Sequence, residues 1–152
     1  VVWCPDIADP GNLGTIVRTA LAFGLDLVIV GEAAVEPYSP KVIRSSAGAA
    51  LALPIAVASA KEVLTKSQGM SMDLIVADSR PEEALSIDEL VSGRFVLALG
   101  SEAHGVDAEI SEAATVRVRI PHADKVESLN VAVAGAILMQ RLYREANRVQ
   151  DP

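Results

Sequence analysis

Short runs of Val, Ile and Leu recur along the chain between stretches whose apolar residues return every three or four positions. VVW (1–3), LVIV (27–30), PIAVA (54–58), DLIVAD (73–78), RFVLALG (94–100) and TVRVRI (115–120) are the strand candidates. All but the last are almost continuously apolar, the pattern of strands covered on both faces. TVRVRI alternates instead. Val116, Val118 and Ile120 share one face and Arg117 and Arg119 the other, which predicts a strand with one exposed side.

Helical spacing fills the intervals. Leu13, Ile16, Val17, Ala20 and Leu21 form a stripe at i, i+3, i+4, i+7 and i+8, with Gly24 placed to stop the helix. Lys41–Ala50, Ala60–Gln68 and Asp107–Ala113 are shorter helices, and about Glu127–Asn147 is the longest. From Leu129 to Met139 this last helix is apolar nearly all round, so it needs cover on every side, from its own core and from a second subunit. Strands alternating with helices predict an α/β domain: a mostly parallel sheet with helices on both faces. The 152 residues suffice for one such domain with a substantial core.

Composition narrows the chemistry. No apolar run approaches the roughly 18 residues of a membrane span and no signal peptide opens the chain, so the expected location is cytoplasmic. One cysteine, Cys4, allows neither an internal disulfide nor a zinc site by itself. Two separated histidines supply no metal-ligand spacing, and no G-x-S-x-G elbow marks a hydrolase. The net charge of −7 argues against a general nucleic-acid binder. Its distribution says more: residues 70–115 carry ten acids and two bases, whereas residues 116–148 carry six bases and three acids. A surface facing RNA belongs near that C-terminal third, or near Arg18, Lys41 and Arg44.

Ligands of parallel sheets bind in loops at the carboxyl ends of strands, and three loops have suitable residues. In IADPGN, Pro10 and Gly11 suit a type II turn and Asn12 suits a helix N-cap. Arg18 follows, about 140° from Leu13 at 100° per residue and so off the apolar stripe; an exposed, salt-bridging Arg is the plain alternative. GSEAHG brings Gly100, Ser101, Glu102, His104 and Gly105 to a strand end, where glycines permit close backbone approach to a ligand. A solvated surface turn would have the same composition. In IPHADKVESLN, Ser128 suits an N-cap, while Asn130 stands between Leu129 and Val131, where an unpartnered amide costs roughly 1–3 kcal/mol. Glu32, about 20 residues beyond the first glycine turn, leaves a dinucleotide-binding oxidoreductase as a remote alternative, although the turn lacks G-x-G-x-x-G.

Taken together, these loops resemble the SpoU (TrmH-type) RNA 2′-O-ribose methyltransferases of the SPOUT class. The first motif occurs as Asn12, Gly14 and Arg18, and the second, G-x-E-x-x-G, as Gly100, Glu102 and Gly105. The third occurs as Ile120, Pro121, Ser128, Leu129, Asn130 and Val131, and RSSAGA (44–49) is similar to a further family segment. The order and spacing hold across nearly the whole chain. Where the family commonly reads I-P-M-x-G, His122 and Asp124 stand here.

The resemblance implies a SPOUT α/β knot, whose C-terminal trefoil is an exception to the rule that chains do not thread loops. It implies a homodimer through the C-terminal helix and the first-helix region, with the active site at the interface. It implies S-adenosylmethionine as methyl donor and no metal, with the donor held around Leu99, Gly100, Ser101, Gly105, Ile120, Pro121, Ser128 and Leu129. Asn12, Arg18, Glu102, Ser128 and Asn130 are then the catalytic set, Arg18 and Arg44 face RNA, and ribosomal RNA is favoured over transfer RNA. Residues 1–152 read as the catalytic domain, without the separate N-terminal RNA-binding domain of many members. A noncatalytic RNA-binding or assembly module on the same fold is the alternative.

Overall fold

The computed structural model describes residues 1–77, 93–101, 105–123 and 125–148, the last five of these as helical backbone only. Six strands, β1 (Val2–Cys4), β2 (Val28–Val30), β3 (Ile55–Val57), β4 (Asp73–Ala77), β5 (Phe95–Ala98) and β6 (Val116–Val118), lie where the apolar runs predict them. They pair in the order β3-β2-β1-β5-β4-β6, and every pair is parallel. The sheet grows outward in one direction through β2 and β3 and in the other through β5, β4 and β6. Its topological switch point is therefore the crevice between β1 and β5.

Side chains alternate across the central strand and build two cores. Val2 and Cys4 join the larger one, with Leu13, Ile16, Val17 and Ala20 of α1 (Pro10–Ala22) and Leu138, Met139 and Leu142 of α5 (Val131–Arg148). Trp3 enters the other, with Val63 of α3 (Ala60–Gly69) and Ile110 of α4 (Ala108–Glu112). Helices thus cover both faces. Burial pushes the Cys4 thiol up to about 12, which makes it an inert core residue.

The termini of α1 show local chemistry at work. Asp9 is the N-cap: its carboxylate accepts from the Asn12 N–H at 2.9 Å, with Pro10 in the first helical turn. The expected type II turn at Pro10–Gly11 is absent and Asn12 is not the cap, because a proline that needs no hydrogen-bond acceptor begins the helix three residues earlier. At the other end Gly24, at φ +64°, donates to the Leu21 carbonyl and the Leu25 N–H donates to that of Ala20, a Schellman stop as expected.

Three other expectations need correction. α2 runs only Pro40–Ser45; Ala47 and Gly48 then take positive φ and a 3-10 turn (Ala49–Leu51) follows. The Arg117–Arg119 face of β6 is not open, since both residues are half-buried and Arg117 donates to the Ser111 carbonyl at the end of α4, at 2.8 Å. Leu21 leaves the stripe and is 40% exposed. Gly24→Ala meets no neighbouring atom, so only the left-handed backbone resists it. A stability loss of about 1 kcal/mol is expected in chemical denaturation.

Candidate functional site

Parallel pairing sends the loops after β1, β5 and β6 to one edge of the sheet. The first is anchored by buried Ile7, whose carbonyl accepts from the Val35 N–H at 2.9 Å. Asp9 then opens α1, and Lys41 of α2 lies 3.6 Å from its carboxylate. The Asn12 N–H holds the Asp9 carboxyl below its ordinary value against an opposing cost of burial, with the Lys41 ammonium and the Gly11 N–H adding to the lowering.

The second loop leaves β5 through buried Leu99, whose N–H donates to the Trp3 carbonyl at 2.8 Å. Ser101 and Gly105 exchange two backbone hydrogen bonds of 2.9 Å each. A Cβ on Gly100 would stand 2.2 Å from the Gly105 carbonyl oxygen, so only glycine allows this closure. Glu102 and His104 lie outside the described residues, as does Asp124 in the third loop.

The third loop carries half-buried Ile120 and Leu129 and exposed Pro121 and Ser128 to the head of α5. The helix begins at Val131, about four residues later than expected, because Asn130 and not Ser128 caps it. The Asn130 Oδ1 accepts from the N–H groups of Ala132 (3.0 Å) and Val133 (3.2 Å). Only an oxygen can face those donors, so the amide nitrogen turns the other way and donates to the Asn12 Oδ1 at 3.1 Å. Two residues 118 positions apart are thereby joined. The N-termini of α1 and α5, each with its partial positive charge, meet at this point.

Arg18 is not part of that contact. It is exposed and, among the described residues, makes no hydrogen bond or ion pair. It follows Asn12 by six positions, which on a helix is about 9 Å along the axis and 120° around it. Arg44, in the last turn of α2, is also exposed. α5 is not covered all round: Val131, Ala132, Leu138, Met139 and Leu142 are buried, while Val133 and Ile137 are 50% and 37% exposed. Among the described residues no cluster of His, Cys, Asp and Glu could hold a metal, and no helix is long and apolar enough to cross a membrane.

The model of the SpoU rRNA Methylase family matches residues 1–140, a span that includes all three loops. This chain belongs to that family. An uncharacterized tRNA/rRNA methyltransferase of Synechocystis sp. is 39% identical over 96% of the chain and 53% of the relative. The 23S rRNA (guanosine(2553)-2′-O)-methyltransferase RlmP of Bacillus subtilis is 34% identical over 90% and 54%. Among solved structures, an AdoMet-bound rRNA methyltransferase from Sinorhizobium meliloti superposes with a TM-score of 0.88 at 30% identity, over 94% of this chain and 55% of that one. The chain spans about half the length of the curated relatives it matches.

Sequence reasoning placed Lys41 near an RNA-facing surface but missed Asp9 as the cap of α1 and Lys41 as its ion-pair partner. For Asp9 the signal was available, since Asp before Pro at a helix start is a strong cap signature. For the pairing with Lys41 it was not, because Lys41 lies in another helix.

Two measurements test the geometry. Asn130→Ala removes the cap and is expected to lower stability by about 1 kcal/mol. Asn130→Asp keeps the cap acceptor and loses only the donor to Asn12, so it retains most of that stability in thermal unfolding. Because the folded value of Asp9 is depressed, its contribution is complete above its unfolded value and is lost as pH falls through the folded one. Acid unfolding below about pH 4 should therefore be shallower in Asp9→Asn than in the parent.

Proposed function

We propose that residues 1–152 form a catalytic domain that moves a methyl group from S-adenosylmethionine to a ribose 2′-hydroxyl of structured RNA, ribosomal RNA being favoured. The observation that carries the reading is the Asn130–Asn12 contact. It joins the mouths of α1 and α5 beside the glycine-closed loop after β5, in a member of a methylase family.

The residues fit the donor. Gly105 leaves backbone open to a ligand: among the described residues no atom beyond its chain neighbours stands within 4 Å of where its Cβ would lie. Half-buried Ile120 and Leu129 provide apolar cover for a purine, and Leu99, Ser101, Pro121 and Ser128 complete the set. When bound, the donor supplies an electrophilic methyl carbon on sulfur. The chain's own residues would have to align the ribose oxygen with that carbon and let the hydroxyl proton leave to water. An arginine is not a base at neutral pH. Arg18 therefore acts by charge, on an RNA phosphate or on the developing alkoxide, with Arg44 as a second phosphate contact. Asn12, Ser128 and Asn130 orient the ribose, with Glu102 from the loop outside the described residues. Alignment of oxygen and methyl carbon provides most of the acceleration.

The separation of Arg18 from the Asn12–Asn130 pair favours a dimer in which Arg18 serves the donor site of the partner subunit. The exposed apolar residues Val133 and Ile137 of α5 are the surface for that contact. The trefoil threading of the chain after β6 belongs to the same reading. A noncatalytic RNA-binding module is the second reading, favoured by His122 at the family's Met position.

Calorimetric titration with S-adenosylmethionine, then labelled-methyl transfer to total RNA, tests the proposal. Arg18→Ala should abolish transfer while donor affinity stays within about twofold. No donor binding at millimolar concentration would overturn the enzyme reading, and donor binding with no transfer would favour the second. Ile137→Asp is expected to convert a dimer to a monomer in light scattering and to remove transfer with it.

A further inference from the structure

The segment RSSAGA contributes nothing to the site described so far beyond Arg44, yet its first serine packs directly against the backbone of α1 at Gly14. A Cβ on Gly14 of α1 would fall 1.9 Å from the Ser45 Oγ and 2.8 Å from the Ser46 backbone nitrogen. α1 and α2 therefore touch with no side chain of α1 between them. The Ser45 hydroxyl lies 3.0 Å from the Pro10 carbonyl in the first turn of α1. It also lies 2.8 Å and 3.2 Å from the Lys41 and Val42 carbonyls of its own helix. With one proton to share, Ser45 would be satisfied within α2 alone. Its hydroxyl is not required there for stability, and alanine is the better helix former at such a position.

What the hydroxyl adds is a fixed distance between helices. Pro10 precedes Asn12 by two residues, and the Asn12–Asn130 bond of 3.1 Å leaves only a few tenths of an ångström before it ceases to be one. That bond is exposed and so too weak to hold two helices in register. α5 is seated by Leu138, Met139 and Leu142, and α1 by its buried stripe; the Gly14 notch and Ser45 set the approach of α2 to the first turn of α1, beside the exposed Lys41–Asp9 pair.

We propose that Ser45 is a positioning residue of the methyl transfer, acting through Pro10 on the Asn12 amide. The inference rests on the function proposed above. Ser45→Ala should lower kcat about tenfold, less than the hundredfold that a full 1 Å misplacement can cost. RNA KM and donor affinity should stay within about twofold and Tm within a few degrees, and the Asn130 side-chain amide signals in the NMR spectrum should shift. Ser67→Ala is the matched control. Its buried hydroxyl bonds only within α3, and its loss should leave kcat and the Asn130 signals unchanged. An active wild type with an equally active Ser45→Ala variant would overturn this inference alone, whatever happens to Tm. A wild type that binds no donor and transfers no methyl would overturn the proposed function, and this inference with it.

Discussion

Parallel pairing obliges the chain to cross back over the sheet after every strand, so all six strands end at the same edge. Residues 9–12, 99–101, 120–123 and 125–131, scattered in sequence, are gathered there by this requirement. The reversal of growth between β1 and β5 opens a crevice at that edge, which is where open α/β sheets place ligands. The loops after β1 and β5 flank it, and the loop after β6 reaches it by returning to α5.

Gathering is coarse, and the finer placement comes from contacts with no side chain between them. Gly100 lets the loop after β5 close on Gly105, and Gly14 lets α2 press against α1. Each contact brings two backbone segments into direct touch, an approach that any larger side chain at those positions would block. The consequence is a hydrogen bond between the mouths of two helices that carry most of the family's first and third motifs. Polar placement of this kind depends on rigid supports close by, because an exposed amide pair contributes too little to support itself.

The unpartnered surfaces have a common logic. Arg18 lies apart from the asparagine pair, and α5 leaves Val133 and Ile137 in solvent. On the proposed function a single subunit would be incomplete as a site. A second copy laid on α5 would address both at once, which is why the dimer belongs to the proposed function rather than to a separate question of assembly.

Much of this was legible in the chain. The apolar runs located six strands, the 3.6-residue stripe located α1, and Gly24 marked its end. Asn130, conspicuous in an apolar run, proved to be held by hydrogen bonds that include two from the backbone of α5 and one to Asn12. Local pattern was enough here because burial and backbone geometry are read residue by residue. It could not choose between neighbouring polar residues, and so put Asn12 at the cap in place of Asp9 and allowed Ser128 that role where Asn130 holds it. Nor could it show α4 lying over Arg117, Leu21 turned to solvent, or Ser45 lodged in the gap at Gly14. Each of those depends on what another segment brings to the same place, and that information exists only once the helices have docked on the sheet.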